Sequence, residues 1–190
     1  MNMEMMHTLK FRLAESQDIP ALLQLINTAY REKHVKSWTN EAEILSGERI
    51  QTEQLEALIA RQYGNKADVQ FLVAELNQQV TSEIMGCVAV TYVDNDAEIG
   101  TFCIASHRQG QGYGQQVLHA AELYAQKHEP LLKTFSMWVL DVRKELIAFY
   151  ERRGYQQTGS KEDFPLDANV GTPLVDLHLI QLQKCADELR

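Results

Sequence analysis

Three glycines at alternate positions, in Gln109-Gly110-Gln111-Gly112-Tyr113-Gly114, constrain this chain more than any other segment. An apolar run from Ile99 to Ala105 precedes them, and an amphipathic stretch from Tyr113 to Lys127 follows. A strand that turns into a helix needs only one glycine. Three imply a backbone that comes close to a ligand, because glycine lacks the Cβ that would hold the ligand off. The first N–H groups of a helix have no partner within it, and the helix dipole is positive at that end. The ligand expected at such a turn is an anion, usually a phosphate.

Phosphate loops differ in register. A Walker-type loop ends in Gly-Lys followed by Ser or Thr, and no Gly-Lys pair occurs in the chain. A dinucleotide fingerprint counted from Gly110 would put its third glycine at Gln115, and it belongs after the first strand of its unit rather than in mid-chain. A pyrophosphate loop of pattern Gln/Arg-x-x-Gly-x-Gly/Ala is met in register by Gln109, Gly112 and Gly114.

The surroundings read as an α/β (α+β) mixture. Leu9 to Leu13 alternates as a strand, and Ser16 to Pro20 opens a helix whose apolar face holds Leu22, Ile26, Ala29 and Tyr30. A second helix is expected from Thr52 to Tyr63. Strands follow at Val69–Ala74, Ile84–Val93 and Glu98–Ala105, the last two joined by the turn Asp94-Asn95-Asp96. After the glycine segment and its helix come a strand from Phe135 to Leu140, a short helix from Glu145 to Arg152 stopped by Gly154, and a strand from Tyr155 to Thr158. A loop from Lys161 to Gly171 and a last strand from Leu174 to Leu182 complete the pattern.

The chain has 190 residues, enough for one domain over 1–190 with its own core. A net charge of −8 argues against a nucleic-acid partner held by general electrostatics, and mildly favours a cationic small molecule. No run is long enough to span a membrane, and residues 1–7 lack the basic and apolar regions of a signal peptide. Cys87, Cys103 and Cys185 are odd in number and widely spaced, so neither a disulfide framework nor a metal site is expected, and a reducing cytoplasmic setting is.

The glycine loop and a second segment, Phe149-Tyr150-Glu151-Arg152-Arg153-Gly154-Tyr155, occur in the right order around a strand–helix–strand unit. Together they resemble the GCN5-related N-acetyltransferase (GNAT) superfamily, over about the whole chain. The resemblance implies a mixed sheet of about seven strands, splayed between the fourth and fifth, with about four flanking helices. It implies acetyl-CoA as cosubstrate, no metal, and a small-molecule or protein amine as acceptor, attacked directly in a ternary complex. Homodimers are frequent in the superfamily. A second reading keeps the fold and removes the turnover: a sensor or regulatory module that binds acyl-CoA.

The resemblance also implies roles. Backbone groups of Cys103, Ile104 and Ala105 would pair with the pantetheine arm, with the Ile104 N–H facing the thioester oxygen. The backbone of Gln109, Gly110, Gln111, Gly112, Tyr113 and Gly114 would hold the pyrophosphate, with Phe149 in the same donor-binding set. Arg143, Arg108 or Lys144 would meet the adenosine phosphates, on position and charge alone. Tyr150 would be the general acid toward the leaving thiolate; its bland alternative is a core aromatic. Glu98 would be the base, acting through a water because an ordinary glutamate is a weak base for an ammonium; its alternative is an exposed carboxylate beside a turn. Cys103 lacks a partnered His and reads as a buried thiol rather than a nucleophile.

Arg143 stands where many family members carry Asn, seven residues before the tyrosine, and Asp141 is the nearest substitute. The acceptor is expected between the first two helices, their connection and the late loop, near Tyr30, Arg31, His34, Trp38, Phe164 and Asp167. Arg49 reads as the partner of Glu48 at the surface.

Overall fold

A computed structural model describes residues 9–33, 40–64, 67–77 and 82–189. Seven strands form one sheet: β1 (Leu9–Leu13), β2 (Val69–Asn77), β3 (Ser82–Val93), β4 (Asp96–Ile104), β5 (Thr134–Leu140), β6 (Gln156–Asp163) and β7 (His178–Cys185). Their spatial order is β1-β2-β3-β4-β5-β7-β6, and all neighbours are antiparallel except the parallel pair β4 and β5. Helices α1 (Ile19–Arg31), α2 (Thr52–Ala60), α3 (Tyr113–His128) and α4 (Lys144–Glu151) cover it. A parallel pair needs a crossover, and α3 supplies it.

The helices divide between the two faces by their apolar spacing. Leu22, Ile26 and Ala29 of α1 are buried with Leu55 and Ile59 of α2 against Phe71, Val73, Cys87 and Ala89. Val117, Ala121 and Ala125 of α3 and Ile147 of α4 are buried against the other face, with Leu72, Val88 and Val90. β3 therefore meets a core on both sides, which is why its middle, Ile84 to Val90, has no polar side chain. Pro20 sits in the first turn of α1, where its missing N–H costs nothing. Before it, Asp18 accepts the Glu15 N–H at 2.8 Å and pairs with Arg12, which also reaches Glu75.

β2 runs on to Asn77 and β4 begins at Asp96, and three further elements differ from the pattern for visible reasons. α2 ends at Ala60, not Tyr63; Gln62 turns instead to accept the Phe71 N–H at 2.9 Å. β6 runs to Asp163, so Lys161 to Asp163 are strand rather than loop; this strand is exposed along its length and has no apolar alternation to announce it. The last strand starts at His178, not Leu174, because the Leu174 N–H is given to Ile44 at 2.9 Å and Leu45–Ser46 pairs with Thr172–Pro173.

Candidate functional site

β4 and β5 are joined for three rungs only: Asp96 with Thr134, Ala97 with Phe135, and Glu98 with Ser136. The Asp96 carboxylate fastens this join by accepting the hydroxyls of Thr134, at 2.5 Å, and Ser136. Beyond it β4 continues to Ile104 and β5 to Leu140 with no further pairing between them. The splay expected between the fourth and fifth strands is this gap. β4 also carries a bulge: Cys87 faces Cys103 and Ala89 faces Gly100, three steps on β4 for two on β3. Thr101 within it has φ +44°, a left-handed backbone rarely taken by a β-branched residue.

Two clefts of about 260 Å³ each open along the gap. The first, the loop cleft, is lined by Cys103, Ile104, Gln109, Gly110, Gly112, Gly114, Phe149 and Arg153. Gly112 is the N-cap of α3 with φ +82° and offers no capping side chain, so the first N–H groups of α3 are left to a ligand. Gly110 has φ +77°, and no atom lies within 4 Å of where a Cβ would stand at either glycine. At the strand end, Ala105 gives its N–H to Met85 at 2.8 Å. Alternation along an antiparallel strand then turns the neighbouring Ile104 N–H away from β3, toward the gap. Gln109 Nε2 donates to the Ile104 carbonyl at 3.0 Å, so its side chain braces the strand end.

The second, the arginine cleft, lies between β4, β5 and the chain around Leu45. Glu98, Trp138, Phe164 and three arginines, Arg31, Arg49 and Arg143, line it. Arg31 and Arg143 both pair with the buried Glu41, Arg143 at 3.4 Å. Arg49 is not a surface partner of Glu48; its guanidinium carbon stands 5.2 Å from the Tyr30 ring centroid.

Tyr30, Phe102, Leu146 and Tyr150 line both clefts. Tyr30 donates its hydroxyl to the Phe102 carbonyl at 2.8 Å. Tyr150 is 6% exposed and makes edge contacts with Phe149 and Tyr155, while its hydroxyl has no hydrogen-bond partner among the described residues. Burial pushes its phenol well above the ordinary value, against the pull of Arg143 and Arg153, so it stays protonated at neutral pH. Glu98 is half-buried at the base of the gap. Burial first, then Asp96 and Glu162, raises its carboxyl above the ordinary value.

Several other side chains lie elsewhere. Tyr113 is packed in the core, Gln111 is exposed and donates to the His107 carbonyl at 3.3 Å, and the Ala105 N–H is engaged as above. Arg143 lines the arginine cleft, not the loop cleft. Arg108 stands 3.6 Å from Glu83, and Lys144 is exposed outside both clefts. Asp141 is tied to His178 and Lys161, and Asp167 is exposed away from the lining. Cys103 lies with its Sγ 3.5 Å from Cys87 Sγ; both are free thiols. His34 and Trp38 fall outside the described residues. The sequence reading passed over Arg153, whose guanidinium stacks 3.6 Å above the Phe149 ring and faces the loop cleft. It also missed Glu41, which nothing in sequence sets apart from Glu32, Glu43 and Glu48 around it.

Among the described residues no cluster of three or more His, Cys, Asp or Glu is placed to hold a metal, and no helix is long and apolar enough to cross a membrane. Residues 67–157 match the model of the acetyltransferase (GNAT) domain. No curated protein matches the chain in sequence. Among solved structures, the spermidine N-acetyltransferase of Vibrio cholerae in complex with CoA and spermine is similar at 17% identity, covering 94% of this chain and 96% of that one, with a TM-score of 0.67. The ribosomal-protein-alanine N-acetyltransferase of Brucella melitensis is 20% identical over 93% of this chain and 99% of its own, with a TM-score of 0.66. The PaiA N-acetyltransferase of Thermoplasma acidophilum, in complex with coenzyme A, is 18% identical over 94% and 99%, with a TM-score of 0.64. With its glycine loop at the head of α3 and its splayed β4 and β5, this chain matches the acetyltransferase (GNAT) domain over residues 67–157 and shares the fold of solved N-acetyltransferases.

Proposed function

We propose that this chain acts as one domain that moves an acetyl group from acetyl-CoA to a primary amine, by direct attack in a ternary complex. The position of Tyr150 carries the reading: of the two phenols that line both clefts, Tyr30 gives its hydroxyl to the Phe102 carbonyl, and that of Tyr150 has no partner among the described residues. The residues fit the donor. The empty space over Gly110 and Gly112 and the uncapped N-terminus of α3 suit a pyrophosphate, and Arg153 adds a cation beside them. Ile104 turns its backbone to the gap for an amide-bearing arm, with Cys103 beside it in the lining.

The acetyl thioester supplies the electrophile. The Ile104 N–H is aimed to stabilise negative charge on a carbonyl oxygen in the gap. Glu98, its carboxyl raised by burial, takes the proton of the incoming ammonium, directly or through water. Tyr150 donates its hydroxyl proton toward the departing sulfur. Phe102, Phe149 and Leu146 exclude water around these groups and strengthen each hydrogen bond.

A thiol-release assay with acetyl-CoA and a panel of primary amines tests the reading. Turnover of at least one amine is expected. Binding of CoA without any turnover favours the sensor reading, and absence of CoA binding in calorimetry removes both.

A further inference from the structure

The arginine cleft carries an imbalance of charge. Among the described residues its walls hold three guanidiniums, of Arg31, Arg49 and Arg143, against two carboxylates, of Glu41 and Glu98. Arg31 is committed to structure: it pairs with Glu41 and donates to the Gly47 carbonyl at 2.9 Å and the Val170 carbonyl at 2.6 Å. Arg143 takes the other oxygen of the same Glu41. One buried carboxylate thus serves two guanidiniums.

Arg49 forms no ion pair among the described residues, and residues 34–39, which follow α1, contain no Asp or Glu. Its backbone is nonetheless fixed. Asn27 Oδ1 accepts the N–H groups of Arg49 and Ile50 at 2.7 and 3.2 Å, and Asn27 Nδ2 donates to the Ile50 carbonyl at 3.0 Å. The side chain rests on the Tyr30 ring, which fixes a guanidinium without neutralising it. A half-buried cation without a counter-ion is costly, and an anionic ligand group removes that cost. The planar fork of arginine suits a carboxylate, which it binds through two parallel N–H donors. On another wall of the same cleft, Glu98 offers the single negative site suited to an ammonium.

Resting on the acetyl-transfer reading above, we propose that the acceptor is a small amine that also carries a carboxylate, of the amino-acid class, and that Arg49 anchors its acid end. The net charge of −8 points the other way, toward a cationic acceptor. Net charge governs long-range encounter; the groups lining the cleft decide what stays bound. A polyamine would set a second ammonium against Arg49.

The test compares the twenty L-amino acids, their carboxamides, spermidine and putrescine as acceptors with saturating acetyl-CoA. At least one amino acid is expected to exceed its own amide about 10-fold or more in kcat/KM, a difference of about 1.4 kcal/mol. Arg49→Gln is expected to lower that acid-to-amide ratio about 10-fold, and Arg49→Lys, which keeps charge but loses the fork, to fall between. Preference for amides or polyamines, or an unchanged ratio in Arg49→Gln, overturns the proposal. Calorimetry of the same acids and amides on the CoA-saturated protein separates the two readings. Acid-selective binding that Arg49→Gln abolishes, without turnover, supports the anchor and removes the transferase. Equal binding of acid and amide, or binding of neither, overturns the anchor whatever the turnover.

Discussion

Tyr150 is a core residue by burial and a site residue by position, and substitution separates the two roles. Tyr150→Phe keeps the ring packing against Phe149 and Tyr155 and removes only the hydroxyl. Steady-state kinetics should show kcat lower by about 100-fold or more with little change in the KM for acetyl-CoA. An unchanged kcat removes Tyr150 from the acid role. Glu98 makes a prediction with a sign. Its carboxyl is raised by burial, Asp96 and Glu162, and the charged form is the base, so kcat/KM should rise with pH through a midpoint above the ordinary glutamate value of about 4.3. Glu98→Gln should abolish that limb. The same shift sets a stability trend: the raised carboxyl favours the fold below the ordinary value, and that gain is lost as pH rises through the raised one. Glu98→Gln should therefore melt higher than the parent at neutral pH, with the two converging below about pH 4. Both were put forward by the family resemblance, and both line a cleft. Arg153 was not: its reach into the loop cleft depends on lying flat on Phe149, four residues earlier on the helix.

The glycine loop and the β4–β5 join are devices of whole elements. Gly112 needs its left-handed backbone to start α3 and its bare Cα to leave room for a ligand. Gly112→Val forfeits both, and calorimetry should show acetyl-CoA binding weakened at least about 100-fold. At the join, Asp96→Ala strips charge-assisted hydrogen bonds from Thr134 and from the buried Ser136. Urea unfolding should report a loss of roughly 2–4 kcal/mol; a loss below about 0.5 kcal/mol would show that β4 and β5 hold without it. Most elements could be read from periodicity, since α1, α3 and the strands β2 to β5 bury continuous apolar faces. The last strand was misplaced at its start because Leu174 extends the alternation but donates to Ile44, a partner far away in sequence. The strand β6 was cut short because exposed residues such as Lys161 and Glu162 carry no alternation.

At the scale of the molecule, the splay followed from family resemblance and not from periodicity, since a gap between two strands depends on what fails to pair. The bulge at Thr101 left no trace beyond the Gly100 beside it. A ligand that bridges the gap stabilises the whole fold by mass action. Acetyl-CoA at 100 times its dissociation constant should add about 2.7 kcal/mol, which for a chain of this length raises the melting temperature by about 5–10 °C in a thermal-shift measurement. A shift below about 1 °C at that ratio would mean that the donor binds the folded and unfolded chain alike. The three-rung join has one more consequence. A half-sheet of four strands and a half-sheet of three are bound like the leaves of a book along a spine three residues long. Whatever enters between the leaves must also set their angle, so part of its intrinsic affinity goes into bending the spine. Asp96, which lines neither cleft, would then tune how tightly that ligand is held.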